Sequence, residues 1–166
     1  IKQLFNSVFS YLQFLVKSTN QHGVHSPFVY NYITKGLYQQ KKEFALSHKT
    51  NHWLLQSIQY FQPTKICFLD EGLSVVAWKV YTDKSFDLTT TDLILDRYTV
   101  ENHSRILQTI NNMSNSQLLL IATYNYPKYF ITELRKNPEI TLVVDFYYGC
   151  LISKRKEQLK QNFFIR

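Results

Sequence analysis

The sequence predicts an α/β sandwich built on a mainly parallel sheet. Two observations lead to it. Short apolar runs rich in β-formers recur at 65–70 (KICFLD), 90–96 (TTDLILD) and 117–124 (QLLLIATY). Segments with helical periodicity separate or follow them, at 99–112 and 127–136. Buried strands alternating with amphipathic helices are the pattern of crossover-linked parallel strands. The chain of 166 residues is 45% apolar and 16% aromatic, which is enough to close one core.

Residues 2–17 predict a helix. Leu4, Phe5, Val8, Phe9, Leu12, Leu15 and Val16 fall on one stripe, with Gln3, Asn6, Ser10, Gln13 and Lys17 opposite. The stripe is expected to face the protein's own core, although such a helix could also lie on a membrane surface. In the stretch NQHGVHSPFVYN, Asn20 and Gly23 are expected to end that helix through left-handed backbone. Ser26 then reads as an N-cap and Pro27 as the first residue of a second helix running to about 37. His22 and His25 lack a nearby acid to orient them, so His22, His25, Ser26 and Pro27 are read together as a structural joint. Substituting either histidine is expected to cost stability rather than activity.

Residues 38–50 read as a polar helix or a connector, and 51–62 as a helix stopped by Pro63. The stretch 75–81 (VVAWKVY) fits a helix start or a strand equally well. Val100, His103, Ile106, Leu107 and Ile110 are expected to point inward from the helix at 99–112, and Asn137-Pro138 ends the next helix. Residues 140–153 (ITLVVDFYYGCLIS) predict a hairpin or a bulged strand, and a short basic helix or turn follows at 154–161.

Several function classes are excluded or weakened. No run of about 18 apolar residues exists, so no transmembrane segment is expected. Residues 1–16 are too polar for a signal peptide. Cys67 and Cys150 lie in apolar runs, as buried thiols do, which places the protein in the cytoplasm. Four glycines leave no Walker loop, and no serine sits in a nucleophile elbow. His48 and His52 are four apart but have no third ligand in sequence, so no metal site is assigned. The net charge of +7 concentrates at the ends: residues 1–50 carry +5 and 128–166 carry +4, against −2 between them. Basic ends suit nucleic acid, anionic lipid or an acidic protein.

Two terminal motifs carry a resemblance. His22-x-x-His25-Ser26-Pro27-Phe28 stands near the start. Asp145, Gly149, Arg155-Lys156-Glu157-Gln158 and Phe164-Ile165-Arg166 close the chain. Together they resemble a class I S-adenosylmethionine (SAM)-dependent methyltransferase family of the Bacteroidetes lineage. The resemblance implies a reduced Rossmann-like methyltransferase sandwich with an N-terminal helical extension and a C-terminal β-hairpin. Residues 1–62 would form the helical layer and 63–166 the shortened α/β core, as one compact unit.

The middle departs from the family. Its glycine-rich cofactor loop reads Asp70-Glu71-Gly72-Leu73-Ser74, with one glycine. Strands two and three read as largely deleted, which leaves the ribose-holding acid without a place. The family's D-G-x-H reads Asp96-Arg97-Tyr98-Thr99, and its D-D-I-H-W-S aligns with 122–127, where no carboxylate remains. Asp70, Glu71, Gly72 and Asp96 are therefore read as vestigial cofactor contacts. The resemblance then implies a non-catalytic, methyltransferase-like pseudoenzyme without bound cofactor, acting as a protein-binding or scaffold component. Tyr124, Tyr126, Tyr129, Phe130, Tyr147 and Tyr148 are the candidate contact aromatics. One alternative is an active methyltransferase that binds SAM through Asp70, Glu71 and Asp96 and acts on nucleic acid. Another is a nucleic-acid-binding module using Lys41, Lys42, Lys49, Lys154, Arg155, Lys156 and Lys160.

Overall fold

A computed structural model describes the chain except residues 1, 40–47, 74–83, 86–87 and 157–158, and the side chains of 2–7, 84 and 85. The elements are α1 (Lys2–Lys17), a 3-10 turn (Gln21–Gly23), α2 (Pro27–Asn31), a π-helix (Tyr32–Tyr38) and α3 (Lys49–Phe61). Then come β1 (Ile66–Phe68), β2 (Lys84–Ser85), β3 (Leu93–Arg97), α4 (His103–Asn112), β4 (Leu118–Ala122) and α5 (Lys128–Lys136). The chain closes with β5 (Leu142–Asp145), β6 (Gly149–Ser153) and β7 (Gln161–Phe164). The expected segments at 38–50 and 75–81 fall mostly or wholly outside the described residues.

The seven strands form one mixed sheet in the order β2-β1-β3-β4-β6-β5-β7. Only β6 runs against the others, pairing antiparallel with β4 and β5. The arrangement is an α/β sandwich compatible with a Rossmann-like fold. Residues 140–153 resolve as a hairpin, with Phe146 N–H donating to Gly149 O at 2.9 Å. Tyr147 takes the left-handed position of that turn, φ 71°. The basic segment after β6 leads into a seventh strand, Gln161–Phe164, where the sequence predicts only a short basic helix or turn before NFFIR.

Alternation along the strands splits the core into two layers. Leu93, Leu95, Leu120, Val144 and Leu151 meet Val29, Tyr32, Ile33, Trp53, Leu54 and Ile58 of α2, the π-helix and α3. Ile94, Leu119, Ile121, Val143 and Ile152 meet Ile106 and Ile110 of α4 and Phe130, Ile131 and Leu134 of α5 on the other face. The N-terminal helical segment thus covers one face of the sheet. Val100 is an exception to the expected inward set: it precedes α4 and is 79% exposed.

α1 is turned the other way from expectation. Val8, Phe9, Leu12 and Val16 are between 53% and 87% exposed, while Phe14 is buried. The face meeting the protein carries Ser10, Gln13 and Phe14, with Leu15 of the expected stripe half-buried at its margin, while the side chains of Leu4 and Phe5 lie outside the described residues. The helix's C-terminal end fixes this rotation. Thr19 forms a parallel bridge with Ile165, and its N–H donates to Phe164 O at 2.8 Å. From that anchor Phe14 reaches a nest of Tyr126, Tyr147 and Phe164 rings, with centroids 5.4–6.0 Å away.

Candidate functional site

The sequence order of strands reverses between β1 and β3, and the carboxyl ends of such a pair are where open α/β sheets place ligands. Here that position is filled. Arg97, the last residue of β3, lies 3.3 Å from Asp70 at the end of β1, and its guanidinium sits 5.1 Å from the Tyr124 ring centroid. Gly72 folds under this pair, donating its N–H to Asp70 Oδ1 at 2.8 Å. A Cβ on Gly72 would meet Arg97 Nη2 at 2.7 Å and Asp70 Oδ1 at 3.0 Å. The lone glycine of the loop therefore leaves room for the Arg97 guanidinium. Glu71 is exposed beside it. Among the described residues, this filled position does not fit a SAM site between β1 and β3.

Asp96 leaves this group. The pleat turns it to the opposite face, where Oδ1 accepts from Arg105 Nη2 at 2.6 Å and from Arg97 N–H at 2.8 Å. Its Oδ2 is buried without a hydrogen-bond partner. Burial holds its carboxyl above the usual carboxylate range, outweighing the lowering by Arg97 N–H and Arg105. Asp145 is held up by burial in the same way, although Tyr126 Oη at 2.7 Å, Arg135 at 2.8 Å and Tyr147 N–H at 2.9 Å all donate to it. Both are structural anchors of strand ends. A two-residue strand, β2, stands parallel to β1 where strands two and three read as largely deleted.

The joint at 20–28 is built by residues other than its histidines. Ser26 is buried and its Oγ accepts from Val29 N–H at 3.4 Å, with Pro27 opening α2. Asn20 is extended (φ −99°), and no glycine has positive φ, so left-handed backbone plays no part. Gly23 is needed for closeness instead: a Cβ would stand 2.0 Å from Thr19 Oγ1. His22 and His25 are exposed. The stability expected of them belongs to Ser26 and Gly23, because an exposed ring exchanges few contacts on folding.

A cleft of about 800 Å3 opens on the helical side of the sheet's carboxyl end. Its walls come from α1 (Tyr11, Phe14), the π-helix (Tyr38), α3 (Trp53), the segment after β4 (Tyr124) and the β5–β6 turn (Phe146, Tyr148). Trp53 is held there by a close approach: a Cβ on Gly149 would lie 2.2 Å from its Cζ3. The indole Nε1 is buried without an acceptor. His48, Lys49 and His52 from the first turn of α3, and Arg166, supply the polar side. His48 also packs on Tyr124 with centroids 4.8 Å apart, and Tyr124 Oη donates to Asn51 Oδ1 at 2.9 Å. Burial pushes the Tyr148 hydroxyl up to about 12, so that wall stays neutral. The described lining residues include no Asp or Glu side chain.

This cleft was missed in sequence because six separated segments build it. Its sequence signals were the i,i+4 pair His48 and His52 and, among the candidate contact aromatics, Tyr124, Tyr147 and Tyr148, all of which line it. The other expected residues scatter. Phe130 is buried and Tyr126 half-buried, while Tyr129 is exposed. Lys154 donates to Asn111 O at 3.1 Å, the Arg155 guanidinium sits 4.5 Å from the Phe28 ring centroid, and Lys160 donates to Asn137 O. Lys49 faces the cleft, Lys156 is exposed, and Lys41 and Lys42 lie outside the described residues. Among the described residues no helix is long and apolar enough to cross a membrane, and no group of three or more His, Cys, Asp or Glu could hold a metal ion. No family model, curated protein or solved structure matches the chain.

Proposed function

We propose that this chain is a non-catalytic, methyltransferase-like protein that binds a partner protein. The observation that carries the reading is Arg97 seated over Gly72 and paired with Asp70 at the strand-order reversal. A cofactor there would have to displace a partly buried ion pair and an aromatic contact. The terminal motifs support descent from the methyltransferase family: the Ser26-Pro27 cap joins two helical elements, and Phe164 and Ile165 tie the end of the chain to Thr19. The outward stripe of α1 supports a protein partner, since contiguous exposed apolar side chains mark interaction surfaces.

Calorimetric titration of S-adenosylmethionine and S-adenosylhomocysteine into the purified chain tests the reading. The expected result is no heat at millimolar ligand. Micromolar binding would return the protein to the enzyme reading. Affinity capture with the intact chain is expected to retain a reproducible protein partner, and Phe9→Lys with Leu12→Lys to abolish it. Retention undiminished by those changes would reject α1 as the docking element.

A further inference from the structure

We propose that the aromatic cleft is a binding site for a flat aromatic compound carrying a phosphate or carboxylate. It lies beyond the partner-binding reading and does not depend on it. Four observations converge.

The first is size. A volume of about 800 Å3 falls within the roughly 300–1,000 Å3 of small-molecule pockets. The second is wall chemistry. Tyr11, Tyr38, Tyr124 and Tyr148 line it with partly exposed rings, which suit a planar ring better than a flexible aliphatic chain. The third is charge. An aromatic box alone would also suit a cation through its ring faces. Here Lys49 and Arg166 carry positive charge at the cleft, and no described acidic side chain answers them. That balance repels a cation and attracts an anion. α3 adds to it: no acidic residue occupies its first turn, and its N-terminal end lies beside Lys49 and His52.

The fourth observation is the backbone of the wall. The π-helix that delivers Leu37 and Tyr38 to it is a rare form concentrated at functional sites.

The test uses three probes with one ring system: 1-naphthyl phosphate, 1-naphthoate and neutral 1-naphthamide, titrated calorimetrically into the full chain. One-site binding is expected for at least one anion, about tenfold or more tighter than the amide. The tighter anion identifies phosphate or carboxylate as the natural group. Lys49→Gln with His52→Gln should lower anion affinity about tenfold and leave the amide unchanged. Lys136→Gln, on the opposite side of the sheet, should change neither. Tyr124→Ala should weaken all three. Lys49 is exposed, so its variant reports binding even if Tyr124→Ala fails to fold. No binding at millimolar concentration, or equal binding of anions and amide, would overturn the proposal. Binding of these probes without binding of S-adenosylmethionine leaves the non-catalytic reading standing, and the reverse pattern overturns both.

Discussion

Arg97 and Gly149 act through the space they take or leave. Arg97 fills the volume above Gly72, and Gly149 leaves the volume that Trp53 occupies. Gly149→Ala should therefore cost about 1–3 kcal/mol by overpacking, read in a denaturant melt. An unchanged midpoint would mean that the indole relaxes away. Asp96 gives a prediction in pH. Its carboxyl is held above the usual range by burial, so the folded state takes up that proton more readily than the unfolded chain. Its contribution to stability is full below the unfolded carboxylate value and is lost as pH rises through the folded value. Asp96→Asn should remove this dependence: stability near neutral pH is retained or raised relative to parent, and the advantage shrinks on acidification. Melting curves across pH 4–8 decide it, and a variant that loses stability most at neutral pH would refute it.

α1 shows how an element's rotation is set from outside the element. Its periodicity alone defines an apolar stripe, and the natural inference buries that stripe. The Thr19 bridge to Ile165 and the aromatic nest around Phe14 select a different face. Phe14→Ala should then destabilise by about 3 kcal/mol, as for a buried phenylalanine. Val16→Lys should stay within about 0.5 kcal/mol. Thermal melts of both variants compare them directly, and a Val16→Lys loss equal to that of Phe14→Ala would reverse the assignment. The π-helix and α3 likewise serve the cleft through their relation to one another. Gly36 lets the two approach, since a Cβ there would meet the Tyr60 ring at 2.8 Å.

At the scale of the molecule, β7 closes the fold from both ends of the chain. It lies parallel to β5 at the sheet edge, receives the Thr19 bridge beside it and places Phe164 under Arg135, 3.5 Å from guanidinium carbon to ring centroid. Tyr38 Oη also donates to Arg166 O at 2.9 Å. Deleting residues 161–166 should expose the β5 edge, release α1 and lower the melting temperature by more than about 10 °C. Hydrogen exchange should show α1 losing protection first. Retained protection in α1 would mean that the Phe14 contacts hold it alone.

The sequence by itself determined the α/β class, the positions of β1, β3 and β4, the helices read at 51–62, 99–112 and 127–136 to within a few residues of their observed ends, and the Ser26-Pro27 cap. Those features depend on local period, capping and β-propensity, which neighbouring residues carry. The hairpin stood as one of two alternatives because Gly149 permits either, and pairing with β4 selected it. Tertiary structure alone decided which way α1 faces, that Arg97 closes the β1–β3 reversal, that Asp96 turns away from Asp70's ion pair, and that Trp53, Tyr124 and Tyr148 share one cleft with Lys49. Each of these depends on contacts between residues dozens of positions apart, and periodicity within one segment carries no information about the direction from which another segment arrives.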